Sequence, residues 1–229
     1  MRQSVHLEAS YLLASRPYSD SSLLVEVFSR EHGRIALVAR GARGARSKLR
    51  GVLQPFRPLL LSWRLNGEVG TLTGAEAAAP PTLLSGEEVL LAWYCNELLT
   101  RLLQRQDAHP GLYDAYASAL PRLRGGPAAV QAVLRRFEMR LLAEIGYGLL
   151  LPPQLQASLR YHYDWDLGPL EAARGYSGRS LIALRDDRLD DDAEVLQDVR
   201  HLLREALARQ LGGRELQTPK LLRQMRALQ

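Results

Sequence analysis

From the N-terminus to about Ala79, apolar and polar positions alternate with period two, the repeat of half-buried strands. His6–Tyr11 runs into Leu12–Arg16, Ser22–Ser29 follows, and a turn at Glu31–Gly33 leads into Arg34–Arg40. In that last stretch Ile35, Leu37 and Ala39 share one face, while Arg34, Ala36, Val38 and Arg40 share the other. Pro58–Leu65 reaches an Asn66-Gly67 hairpin signal and returns as Glu68–Ala75. Five short strands with a longer break between the third and fourth are the plan of an OB-type barrel, and Leu49–Leu53 supplies a crossover for that break.

After Pro80-Pro81 the repeat lengthens to that of a helix. Ser85–Glu88 forms a capping box ahead of apolar positions at Leu91, Cys95, Leu98, Leu99 and Leu102. Pro110 and Pro127 sit at the first positions of two further helices, the second carrying Val130, Leu134, Phe137, Leu141 and Ile145 on one stripe and stopping at Gly146. Residues 158–176 lose the helical repeat, and Tyr161–Asp166 reads as a short hairpin. Gly178–Leu184 is a short helix. Ala193–Gln210 is a long one, with Asp190–Asp192 at its positive end. The expected fold is therefore α+β: an OB-fold domain over 1–80, then a mainly α-helical domain over 81–229 with a hairpin insertion near 158–176.

Composition narrows the function classes. The chain has 229 residues, with no apolar run near the roughly 20 residues that cross a bilayer and no apolar leader at the N-terminus, so a cytoplasmic protein is expected. Cys95 is the only cysteine, which rules out an intramolecular disulfide and a thiolate zinc site. The net charge is +5, and its placement says more than its size: residues 30–57 hold eight basic side chains against one acid, Glu31. Arg214, Lys220, Arg223 and Arg226 form a second basic zone against Glu215. Within Gly41–Arg50, cations recur every two or three residues among Gly, Ala and Ser, so small residues let a phosphate chain approach while guanidinium forks grip its oxygens. Alone, such a run reads equally as a solvated loop with no partner; on an OB-like barrel the expected partner is a nucleic acid held by its backbone. Trp63 shares strand parity with Leu59 and Leu61, which favours a core role over base stacking.

No catalytic constellation emerges, and no enzyme or cofactor is expected. The acids among Arg185–Asp192 are contiguous, precede a helix and are diluted by Arg185 and Arg188, which argues against a two-metal nuclease. The five histidines lack ligand spacing, Cys95 lies on an apolar stripe, and no Walker-type phosphate loop is present.

Taken together, certain segments resemble a known family. Ser15–Leu24 (SRPYSDSSLL), Gly33–Arg43 (GRIALVARGAR) and Leu53–Pro58 (LQPFRP) are similar to the N-terminal domain of the RecO family of DNA repair proteins. Arg135–Gly148 (RRFEMRLLAEIGYG) and Leu211–Leu216 (LGGREL) resemble its helical domain. The resemblance covers nearly the whole chain. It implies an OB-fold domain and a recombination mediator without turnover chemistry, which binds single- and double-stranded DNA and anneals complementary strands. It also implies partnership with RecR, with the acidic, Phe-ending tail of single-strand-binding protein and, indirectly, with RecA. By motif, Arg34, Arg40, Arg43, Arg46, Lys48 and Arg50 become the DNA contacts. Arg135, with Arg136 and Arg140 behind it, becomes the tail site; the competing reading of Arg135 is an i,i+3 pair with Glu138.

Two departures from the family pattern stand out. Leu149–Pro153 follows where many relatives carry a four-cysteine zinc module, so none is expected, and a metal-free hairpin around Tyr161–Trp165 takes its place. The basic motif expected after Leu211–Leu216 is thinned to Gln217–Lys220. Rival readings are an OB-fold RNA-binding or ribosome-associated protein and a metal nuclease using the acids of 186–192.

Overall fold

The alternation of the first 80 residues becomes a closed five-stranded barrel. A computed structural model describes residues 3–189 and 192–227, with side chains to residue 225. The strands are β1 (Gln3–Pro17), β2 (Leu23–Ser29), β3 (Gly33–Ala39), β4 (Leu59–Leu65) and β5 (Val69–Ala77), and helix α1 (Lys48–Val52) lies between β3 and β4. They close in the order β1-β2-β3-β5-β4, antiparallel except where β3 meets β5. This is the OB-type arrangement, and the fold class is α+β.

The two segments expected at the N-terminus are one 15-residue strand. Its first half pairs with β4, from Gln3 opposite Leu65 to Ser10 opposite Leu59. Its second half pairs with β2, from Ser10 opposite Ser29 to Pro17 opposite Leu23. Register shifts between Val5 and Glu8 and between Leu12 and Ala14 bend the strand from one neighbour to the other, as closure of a small barrel requires. Leu7 takes φ +51 at the first shift, and its N–H turns to the Ser62 hydroxyl at 3.0 Å. Inside the barrel Val25, Val27, Leu37, Leu61 and Trp63 are fully buried, each contributing about 1.5–3 kcal/mol of apolar burial.

Helices α2 (Glu87–Leu102) and α3 (Pro110–Arg122) follow, and contacts group the chain into two units: Met1–Pro121 with Leu216–Gln229, and Arg122–Glu215. In the first unit α2 and α3 cover the outside of β1 and β2. Tyr11 and Phe28 point outward and meet Tyr113 and Tyr116 at ring distances of 5.0–6.4 Å. The capping box is half formed: the Glu88 carboxylate accepts from the Ser85 N–H at 2.9 Å, while Gly86, at φ +53, stands at the cap position and the Ser85 hydroxyl caps nothing. The basic tail read from sequence is a helix, α7 (Gln217–Ala227), packed on α2. Glu97 of α2 takes up the free N–H groups of Gln217 and Thr218, both at 2.9 Å, and the Thr218 hydroxyl.

The second unit holds α4 (Pro127–Glu144), a three-stranded sheet of β6 (Arg160–Asp164), β7 (Gly168–Glu171) and β8 (Tyr176–Ser177), then α5 (Gly178–Arg185) and α6 (Ala193–Leu211). Here β6 is central, pairing with β7 as the expected hairpin and with β8 on its other edge. Ser177 caps α5, Asp192 caps α6 through the Glu194 and Val195 N–H groups, and Asp198 of α6 accepts from both the Ser177 N–H and the Ser180 hydroxyl. Asp190, Asp191 and the Arg226 side chain lie outside the described residues.

Candidate nucleic-acid interface

The strand pairings give the barrel two distinct ends, and they separate the arginines that sequence runs together. At the end where β2 turns into β3, residues 105–109 close over the barrel. Gly33, at φ +67, lets that segment approach so nearly that a Cβ would lie 1.8 Å from the Asp107 carbonyl oxygen. The Gln106 N–H donates to the Arg34 carbonyl at 3.0 Å, and its side chain reaches the Gly67 carbonyl. Arg30 is spent on Asp114, in a two-pronged pair at 2.9 and 3.0 Å, and on Glu31. The guanidinium holds the Asp114 carboxyl below its ordinary range.

Arg34 belongs to this end too. Its guanidinium donates to the Thr100 carbonyl at 2.5 Å and lies 4.0 Å from Glu26, which Arg105 also binds. Only 17% of the side chain is exposed, and burial lowers its pKa against the opposing pull of Glu26. The Arg34 end of the strand face expected to carry positive charge onto the barrel wall is therefore turned onto α2, while Arg40 at its other end stays exposed.

At the opposite end, where β1 turns into β2, the chain from Arg40 to Ser47 is a ribbon of consecutive turns. Ala42 N–H donates to the Ala39 carbonyl, Gly44 to Gly41 and Ser47 to Gly44. Gly41 takes φ +69, and Ala42 is buried in the core, so the ribbon is anchored. Arg43 ties it to the Tyr18–Ser22 loop, donating from its backbone to Ser21 (2.9 Å) and from its guanidinium to Ser19 (2.6 Å). Leu49, Val52 and Leu53 then seat α1 on the core, which leaves Lys48 and Arg50 outside. Arg57 is a fastener, bound to the Ala79 and Gly51 carbonyls.

The structure thus brings Arg40, Arg43, Arg46, Lys48 and Arg50 together, exposed, at one end of the barrel. Among the described residues, Arg40, Arg46, Lys48 and Arg50 have no side-chain hydrogen bond or ion pair. Arg16, exposed opposite Leu24, joins them. Sequence reasoning missed it because it precedes the basic run; its neighbour Pro17, facing Leu23 at the strand end, was the available signal. Asp20 is the one acid in the adjoining loop. Such a surface attracts a phosphate chain, and the unpaired guanidiniums lose no internal partner on binding it.

In the second unit the other candidates lie on α4. Arg135 is 5% exposed and donates to Glu138 at 2.6 Å, so the i,i+3 pair exists but is buried rather than superficial. Its Nε is buried without a hydrogen-bond partner among the described residues. Arg136 and Arg140 are more open, each held by one carboxylate, Asp187 at 2.5 Å and Glu144 at 2.6 Å. The acidic run is also engaged: Arg185 and Arg188 clasp Asp186 and hold its carboxyl down at about 2. Among the described residues, no three His, Cys, Asp or Glu side chains gather as a metal-ligand set, and no helix is long and apolar enough to cross a membrane.

The chain is similar to known proteins over nearly its whole length. Residues 1–81 match the family described as Recombination protein O N terminal, and residues 84–152 match Recombination protein O C terminal. The chain is 40% identical to the DNA repair protein RecO of Aromatoleum aromaticum over 239 aligned positions, covering 99% of both chains. It is 43% identical to that of Nitrosococcus oceani, covering 98% of this chain and 95% of the relative. With the RecO protein of Dechloromonas aromatica the identity is 41%, covering 100% and 99%.

Proposed function

Because the chain belongs to the RecO family, we propose that it is a DNA-binding recombination mediator in DNA repair, holding single and double strands at the basic end of its barrel and annealing complementary strands. The observation that carries this reading is the cluster of Arg40, Arg43, Arg46, Lys48 and Arg50, exposed and largely free of internal partners. Two strands repel through their phosphates, and a cationic surface that neutralises both lowers that barrier without bond chemistry. The protein works as a binding partner, without turnover and without a cofactor. The segment 1–80 acts as the nucleic-acid-binding part and 81–229 as the partner-docking part. Its place is the cytoplasm, at the nucleoid.

Within the second segment, the acidic, Phe-ending tail of single-strand-binding protein docks on α4. Arg136 and Arg140 supply the accessible guanidiniums, whose present carboxylate partners a tail carboxylate replaces. Arg135, buried against Glu138, holds the helix surface in register. Docking there, together with RecR, directs the loading of RecA onto coated strands.

The test exchanges Arg43, Arg46 and Lys48 for Glu and follows binding of labelled single strands by anisotropy, and annealing by energy transfer. Affinity should fall about tenfold or more and annealing should cease. Unchanged affinity rejects the assigned surface. Stronger binding of structured RNA than of single-stranded DNA rejects the DNA reading. Titration of a tail peptide, with Arg136→Ala and Arg140→Ala as variants, tests the docking site.

A further inference from the structure

The loop that Arg43 fastens carries a side chain unlike anything else on the barrel. Tyr18 is 61% exposed, whereas Tyr11, Phe28, Phe56 and Trp63 are all buried. A lone exposed aromatic is ordinary on a protein surface. This one is set apart by its placement. It begins the turn between β1 and β2, where its N–H donates to the Ser22 carbonyl at 3.0 Å. The next residue, Ser19, receives the Arg43 guanidinium, and Ser21 receives the Arg43 backbone N–H. Arg43 sits in turn on a ribbon anchored by buried Ala42. The backbone that carries the ring is therefore held in the basic cluster, one residue from a guanidinium contact and two from Arg16.

We propose that Tyr18 is a stacking platform for an unpaired base, so that this end of the barrel distinguishes single strands from duplex. The inference rests on the DNA-binding reading above and adds to it the feature of the ligand that charge alone does not read. Phosphates are common to single strands and duplexes, and the guanidiniums grip either. An open π-face is offered only by a base out of its pair, and an exposed ring flanked by cations takes such a base with little regard to its identity. The buried state of the other barrel aromatics makes Tyr18 the residue on which this discrimination depends. Arg16 and Arg43, on either side of it, hold the flanking phosphates.

The experiment compares the full-length protein with Tyr18→Ala and Tyr18→Phe on three probes of equal length at one salt concentration: a thymine strand, the same strand with abasic sites, and a duplex. Tyr18→Ala should weaken binding of the intact strand by about five- to a hundredfold, leave duplex affinity unchanged and bind the abasic strand as the wild type does. Tyr18→Phe should retain the wild-type preference, because the ring and not the hydroxyl carries it. Equal wild-type affinity for intact and abasic strands overturns the proposal, and so does an equal loss on strand and duplex in Tyr18→Ala. Failure of the wild type to bind either strand or duplex overturns the DNA-binding reading itself. Duplex binding with no preference for open bases leaves that reading standing and removes the role of Tyr18.

Discussion

Asn96 donates from its side-chain nitrogen to the carbonyl of Leu13, 3.0 Å away, across the interface between α2 and the barrel. The register shift between Leu12 and Ala14 takes Leu13 out of the β1–β2 ladder, and the carboxamide of Asn96 meets the carbonyl left there. The same carboxamide accepts from the Tyr116 hydroxyl at 2.6 Å, so one buried side chain joins a strand irregularity to two helices. Asn96→Ala removes both of these buried hydrogen bonds and should lower unfolding free energy by about 2–3 kcal/mol. Tyr116→Phe removes a single donor and should cost about 1 kcal/mol. Urea denaturation of the two variants checks the order, and equal losses contradict it.

The arginines of residues 30–57 should divide by what they touch. Arg46→Ala removes a free cation and should reduce the salt dependence of single-strand binding by about 0.7 in the log–log slope, with stability unchanged. Arg30→Ala and Arg34→Ala should leave that slope alone. Arg34→Ala should instead lower the thermal midpoint, because it withdraws the donor from Thr100 and a cation from Glu26. Binding isotherms at several salt concentrations, paired with thermal melts, measure both effects.

The buried pair on α4 makes a further prediction. Arg135→Ala removes a buried, hydrogen-bonded partner of the Glu138 carboxylate and should destabilise the protein by about 3–5 kcal/mol. Arg135→Met combined with Glu138→Leu should recover much of that loss, since two apolar side chains need no counter-charge. Calorimetry of the single and double variants tests this.

Asp186 sets a pH expectation. Hydrogen bonds from Arg185 and Arg188 favour its ionised form in the folded protein and hold its pKa at about 2, below the ordinary carboxyl value near 3.9. A group depressed in this way adds stability above the unfolded value and loses it as pH falls through the folded one. The contribution should thus be complete above about pH 5 and vanish on acidification toward 2. Carboxyl chemical shifts should show an Asp186 midpoint near 2, moving up toward the ordinary value when Arg185 and Arg188 are both replaced by Ala.

Glu97→Ala should release the start of α7. The carboxylate satisfies N–H groups that a helix cannot satisfy internally, and Thr218 is buried against it. Amide exchange over residues 217–225 should speed up while that of β1–β5 stays slow. Unchanged exchange contradicts the cap.

The barrel was legible because alternation and the Asn66-Gly67 turn are local signals that tertiary packing reinforces. Helices opened by Pro110 and Pro127 were legible for the same reason. The long β1 was not, because bulges interrupt its parity without breaking its course. Helix α7 was hidden by its composition: Lys220 and Arg223 read as a charged tail, and its N-terminal cap comes from Glu97, 120 positions earlier. The binding surface was legible as a run of charge but not as a set of residues. Arg34 and Arg46 look alike in sequence; what separates them is Thr100 on α2, whose approach no local pattern announces.

The way α7 returns to α2 bears on how the protein is made. Residues 122–215 form one contiguous unit, complete once its last helix has left the ribosome. The barrel-bearing unit is discontinuous and cannot be finished until residues 216–227 have followed. Through most of synthesis Glu97 therefore has no helix to cap, and the α2 surface that α7 will cover stays open. A nascent chain halted before α7 should be more readily cut by proteases along α2 than the finished protein, although its strands are all present. The first segment to emerge is thus among the last to be secured.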